Sequence, residues 1–256
     1  MTAAILDTET TGKNQPLPIE VGYLLIPSPG EPLTSSYNER FNPGKPIELG
    51  AMAIHMILDS DLVDCRSHTE FAMPDVQYMI GHNVDYDWNV LGRPDVRRIC
   101  TLVLARYVWP QLDSHTQTAL LLSFNPELAR DWLNNHQTHS ALVDVRICER
   151  ILNGIISELK PVLWGGENPT WEQLWQLCES LRIPKVMPFG KHKDKTFDKL
   201  PVDYINWYMG ATDQDPYVLL AMVQSMARRG DPVAQRLLQK YNDPYAMMEA
   251  IPHEMR

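Results

Sequence analysis

A short apolar run at Ala3, Ala4, Ile5 and Leu6 lies near the start of the chain and reads as a buried strand, Ala3–Thr8. Ile19–Ile26 and Ser36–Phe41 alternate apolar and polar positions, the pattern of antiparallel strands. Tyr78–Gly81 is another apolar run, and Arg98–Cys100 leads into a helical pattern at Thr101–Trp109. Helical spacing then recurs at Gln117–Phe124, Glu127–Asn134 and His139–Leu159. Three strands followed by alternating helices and strands predict an α/β fold, a mixed sheet flanked by helices.

Proline and glycine punctuate 161–169, the expected linker after a first domain at 1–160. Beyond it Thr170–Leu181 reads as a capped helix, with Thr170 as N-cap and Glu172 in the first turn. Helical patterns follow at Val202–Met209, Pro216–Arg229 and Val233–Tyr241. Residues 170–256 are therefore expected to form a small, mostly helical C-terminal module carrying a basic loop.

The chemistry begins where the first strand ends. Asp7 and Glu9 are two residues apart, so on a strand both side chains project to one face. Two carboxylates held together repel unless they share a proton or bind a cation, and a hard divalent ion such as Mg²⁺ or Mn²⁺ suits an oxygen-only pair. A second cluster, His82-Asn83-Val84-Asp85-Tyr86-Asp87, follows the Tyr78–Gly81 strand into a helix entry; composition does not distinguish Asp85 from Asp87. A third, His139-Ser-Ala-Leu-Val-Asp144, opens the longest helical pattern. Asp144 lies on or beside its apolar stripe, where a carboxylate needs a partner.

Asp7-Thr-Glu9-Thr-Thr-Gly, His82-Asn-x-x-Tyr-Asp87 and His139-x-Ala-x-x-Asp144, in that order, resemble the DEDDh (DnaQ-like) 3′→5′ exonucleases. Ala51-Met-Ala-Ile-His, the run from Cys100 to Pro110 and Phe189-Gly-Lys-His-Lys-Asp-Lys-Thr-Phe are similar to the exodeoxyribonuclease X branch of that family. The resemblance implies a ribonuclease H-like architecture with a catalytic quartet at Asp7, Glu9, Asp87 and Asp144, selecting Asp87 over Asp85. It also implies two Mg²⁺ (or Mn²⁺) ions held by that quartet, with His139 as general base; imidazole titrates near neutral pH and suits the role. The expected reaction is hydrolysis of DNA from a 3′ end to nucleoside 5′-monophosphates.

Thr8, Thr10, Leu17 and His55 are candidates for contact with the terminal nucleotides. The surrounding stretch Met52–Ile57 reads equally as a wedge between bases or as a helix face in the core. An exoribonuclease, or a non-catalytic subunit that binds nucleic-acid ends for a polymerase, are the competing functions; the complete quartet favours catalysis.

Composition modifies this picture in one respect. A net charge of −9 opposes long-range attraction of a polyanion. Lys191, Lys193 and Lys195, with Lys185 and Lys199, form a basic island and are candidate DNA contacts. The C-terminal module is a candidate site for a polymerase or repair partner. The four cysteines lack zinc spacing and read as reduced, mostly buried thiols. Without a long apolar run or a signal-peptide pattern, a soluble cytoplasmic protein is expected.

Overall fold

The computed structural model describes residues 2–136, 139–211, 214–241 and 243–254. The chain forms two compact units, 1–178 and 179–256. In the first, β1 (Ala3–Thr10), β2 (Pro18–Ile26), β3 (Ser35–Arg40), β4 (Tyr78–Gly81) and β5 (Arg97–Cys100) make one sheet in the order β3-β2-β1-β4-β5. β1, β2 and β3 pair antiparallel, whereas β4 and β5 run parallel to β1. Each parallel step needs a crossover. One contains α1 (Leu49–His55); the other is α2 (Val84–Val90).

After β5 come α3 (Thr101–Val108), α4 (Gln117–Phe124), α5 (Pro126–Asn134) and α6 (Ala141–Leu163). α6 packs on β1 and β2 and buries Val145, Cys148, Ile151, Leu152, Ile155 and Leu159, a three- and four-residue spacing that keeps one stripe on the sheet. β1 is central, and its residues Ala3, Ala4, Ile5 and Leu6 are all but inaccessible.

α6 runs past the expected end at Leu159 into the segment read as linker. Pro161 sits in its last turn, and the chain turns at Gly165 and Gly166, both at positive φ. α7 (Trp171–Arg182) starts with a reciprocal cap: Thr170 Oγ1 accepts from Gln173 N–H, and Gln173 Oε1 accepts from Thr170 N–H. Its first turns belong to the sheet unit. Trp171 donates to the Pro27 carbonyl, Tyr78 donates to Glu172, Arg97 pairs with Glu172, and Cys178 Sγ accepts from the Cys100 N–H. The boundary between compact units thus falls at 178/179, later than the proline–glycine stretch suggested, because composition marks a turn and not what the next helix packs on.

The second unit holds α8 (Val202–Met209), α9 (Pro216–Arg228), α10 (Pro232–Lys240) and α11 (Pro244–Glu254). Its core gathers Met187, Phe197, Ile205, Met222, Leu237 and Met247 around α9. All four cysteines carry free thiols, three of them buried. Among the described residues no helix is long and apolar enough to cross a membrane.

Candidate active site

β1 delivers Asp7 and Glu9 to one face, as two-residue alternation requires. Opposite them in the antiparallel register lie Gly22 and Glu20 of β2. Paired residues point the same way, so what lies over Gly22 also lies over Asp7. A side chain at Gly22 would meet the α6 backbone at Leu142 N and Ala141 C, at 2.6 and 2.7 Å. Glycine here lets the helix entry rest directly on the sheet. Glu20, 2% exposed, secures it by accepting the Ala141 N–H at 2.9 Å and pairing with Arg40 at 3.1 Å. One turn into α6, Asp144 then arrives beside the β1 carboxylates.

Asp87 comes from the other side of β1. Its Oδ1 accepts from both the backbone N–H and the hydroxyl of Thr8, at 2.9 and 2.7 Å. Asp85, two residues earlier, is on another face of the short α2 and accepts from Arg98 Nη1 at 2.6 Å. The ambiguity that composition left between these two aspartates is thereby a difference of location.

His139 precedes α6 in a left-handed conformation, φ 61°, with its ring half exposed. Its Nδ1 is 3.9 Å from Asp144 Oδ2. Glu9, His139 and Asp144 each offer a ligand atom, and these atoms lie within 4.8 Å of one another. Asp7, Thr8, Glu9, His139 and Asp144 line a cleft of about 630 Å³ whose far wall carries Arg106 and the 113–118 segment entering α4. Asp87 is buried behind Thr8 and does not line this cleft.

The electrostatics follow from packing four carboxylates together. Burial, and then the charges of Asp87, Asp144 and Glu9, hold the Asp7 carboxyl well above the usual range. Glu9 is pushed up to about 8, by burial first and then by Asp144, Glu20 and Asp87. Burial lifts Asp87 to about 7 against the lowering effect of the Thr8 hydrogen bonds. Asp144 is also raised by burial, an effect that His139 opposes. A cluster that resists ionisation in this way, built only of hard oxygen donors with one imidazole at its edge, fits divalent cations.

Several expected contacts take other positions. His55 is 2% exposed; its Nδ1 accepts the Ile57 N–H, its ring bonds the Thr10 backbone, and burial lowers its pKa. It buttresses the end of β1 from within and does not face the cleft. Thr10 is likewise buried, bonded to the Tyr86 hydroxyl at 2.8 Å. Leu17 is half buried and closes a loop: its carbonyl accepts the Thr11 N–H and its own N–H donates to Thr11 Oγ1. Met52 packs against Ile19, Ile47, Ile57 and Leu62, whereas Ile54 and Met56 are exposed, so the Met52–Ile57 stretch divides between the core and the surface. Thr8 does line the cleft. Lys191, Lys193 and Lys195 are exposed on the second unit.

His82, next to the second cluster, is structural. Its Nε2 donates to the His115 carbonyl, its Nδ1 is 3.0 Å from Thr101 Oγ1, and burial drops its pKa to about 4. Sequence reasoning missed Glu20, Gly22 and Arg106. A carboxylate and a glycine two apart within an apolar strand, mirroring Asp7 and Glu9, were the available signal for the first two.

A mixed five-stranded sheet of this order, with carboxylates converging from β1, α2 and α6, is the ribonuclease H-like fold of DnaQ-like exonucleases. The chain is similar to exodeoxyribonuclease 10 of Escherichia coli strain K12, 25% identical over 215 residues, which cover 82% of this chain and 91% of the relative. The protein of that name from Escherichia coli O6:H1 strain CFT073 matches with the same figures. Among solved structures it is similar to exonuclease X in complex with 5′ overhanging duplex DNA, at 26% identity and a TM-score of 0.51, covering 69% of this chain and 99% of that one. Residues 175–212 match the family model described as "Putative quorum-sensing-regulated virulence factor".

Proposed function

We propose that this chain is a metal-dependent 3′→5′ exodeoxyribonuclease that releases nucleoside 5′-monophosphates. The reading is supported by Asp7, Glu9 and Asp144, which line one cleft with His139 beside them, and by Asp87, held against Thr8 just behind that cleft. The similarity to exodeoxyribonuclease 10 and exonuclease X supports DNA as substrate.

Asp7, Glu9, Asp87 and Asp144 would hold two Mg²⁺ or Mn²⁺ ions. When bound, such ions make a water more acidic and stabilise charge on the phosphoryl and leaving oxygens. The chain's own residues do the rest. His139, half exposed beside Asp144, takes the proton of the attacking water; Asp144 then steadies the imidazolium through its carboxylate 3.9 Å away. The water oxygen bonds to phosphorus, the bond to the 3′ oxygen breaks, and that oxygen receives a proton. Thr8 fixes Asp87 in place through its N–H and hydroxyl and lines the cleft. Arg106, on the opposite wall, supplies a cation for a substrate phosphate.

Digestion of 5′-labelled and 3′-labelled oligomers of DNA and RNA, single- and double-stranded, with Mg²⁺ or with chelator, tests this. Shortening of 5′-labelled DNA one nucleotide at a time, abolished by chelator, is expected. Internal cuts, loss from the 5′ end, or faster attack on RNA would each overturn a named part of the proposal.

A further inference from the structure

We propose that the second unit carries a separate, non-hydrolytic site for single-stranded nucleic acid, in which a base stacks on the rings of Tyr204 and Trp207 while Lys191 and its neighbours meet the flanking phosphates. A cavity of about 890 Å³ opens between the Phe189–His192 turn and α8. That volume suits a nucleotide. α8 presents Tyr204, Trp207 and Tyr208, at positions i, i+3 and i+4, along one side of the cavity.

Trp207 and Phe189 are accessible, Tyr204 is half-buried, and Tyr208 is buried at the base of the cavity wall. Tyr204 and Trp207 have centroids 5.5 Å apart with planes inclined by 32°, and Phe189 lies 6.2 Å from Tyr208. Trp207 is 64% exposed and Phe189 44%, so both rings are open to a ligand. His192 is buried edge-on against Tyr204, at 4.4 Å, and fixes that ring from below.

Charge selects the ligand. Lys191 Nζ sits 5.6 Å from the Tyr204 centroid at the cavity wall, and Lys195 Nζ is 3.3 Å from His192 Nδ1. Within 185–199 there are five lysines against Asp194 and Asp198, and Arg228 neutralises Asp198 through a 2.8 Å ion pair. Asp203 is the carboxylate among the described lining residues. An aromatic cage built for a cationic group would not carry an ammonium on its own ring. A proline-rich peptide would use the rings and ignore the lysines. A polyanion whose every unit has a flat face uses both. This goes beyond the hydrolytic reading, because the site needs no metal.

The test uses the full chain in chelator, so that hydrolysis plays no part. Anisotropy of a 5′-fluorescein-labelled thymidine 15-mer is expected to report salt-dependent binding. Trp207→Ala and Lys191→Glu should each weaken it about tenfold, Trp207→Phe should restore most of it, and the thymidine oligomer should quench tryptophan emission in the wild type. Release of p-nitrophenol from the p-nitrophenyl ester of thymidine 5′-monophosphate, with Mg²⁺, reads the carboxylate cleft alone and should be unchanged by Trp207→Ala. Failure of the ester assay with retained oligonucleotide binding sinks the nuclease reading and leaves this one standing. Oligonucleotide affinity within twofold of wild type in both variants overturns it, as does quenching of Trp207 by a polyproline peptide but not by DNA.

Discussion

The two units meet a polyanion with opposite equipment. The first has 22 carboxylates against 12 lysines and arginines; the second has 10 against 11. The unit with the carboxylate cleft thus carries −10 and the other +1, which together give the chain's −9; in the first the acidic groups are buried, crowded and driven toward protonation. In the second unit the corresponding feature is an exposed aromatic wall bordered by lysines. An acidic site handles phosphate only after cations reverse its local charge. The basic one attracts it directly. Net charge taken over the whole chain hides this division, which is why it seemed to oppose a nucleic-acid function.

The largest effect that would break the comparison is at the quartet. Asp7→Ala or Asp144→Ala should lower DNA hydrolysis below about a thousandth of wild type, with circular dichroism unchanged and oligonucleotide binding in chelator within twofold. Loss of both activities together would merge the two sites into one. His139→Ala should cost about a hundredfold or more in rate while Mn²⁺ affinity by titration changes little. Equal losses would recast His139 as a ligand, a role its 4.8 Å grouping with Glu9 and Asp144 also permits.

Smaller effects sharpen what holds the first site together. Gly22→Val forces the α6 entry off the sheet and should lower stability by about 3 kcal/mol in urea, with hydrolysis falling further than stability. Glu20→Ala leaves the Ala141 N–H unmet and should cost about 2 kcal/mol; a cost confined to hydrolysis would mean Glu20 touches substrate. The pH dependence has a definite sign. Glu9 and Asp87 bind protons more tightly folded than unfolded, with values near 8 and 7, so their contribution to stability is complete below about pH 4 and is lost as pH rises through those values. The melting temperature of the chelated protein should fall from pH 5 to pH 8, and Mg²⁺ should restore it at pH 8. A chelated protein that is most stable at pH 8 would contradict the crowding of these carboxylates.

Much of the first unit was legible because its signals are local. Strand alternation put Asp7 and Glu9 on one face, and the apolar stripe after Ala141 fixed a long helix. What was not legible depends on residues far apart in sequence. Composition left Asp85 and Asp87 alike and only the family resemblance chose Asp87; the physical difference, Arg98 holding the first and Thr8 the second, lies in the fold. His55 looked available to substrate, yet it bonds the β1 terminus and is buried. Glu20 and Gly22 acquire meaning only when α6, more than a hundred residues later, lands on β2. In the second unit the sequence marked only a helix at Val202–Met209; the exposure of Trp207 on it is a property of the packing.

The central claim is that four carboxylates converge to bind divalent cations and must release protons to do so. Calorimetric titration of Mn²⁺ at pH 7 in two buffers of different ionisation enthalpy measures this directly. The account predicts saturable binding with net release of about one proton or more, both lost in Asp144→Asn. Binding without proton release, or hydrolysis of DNA that persists in chelator, would contradict it.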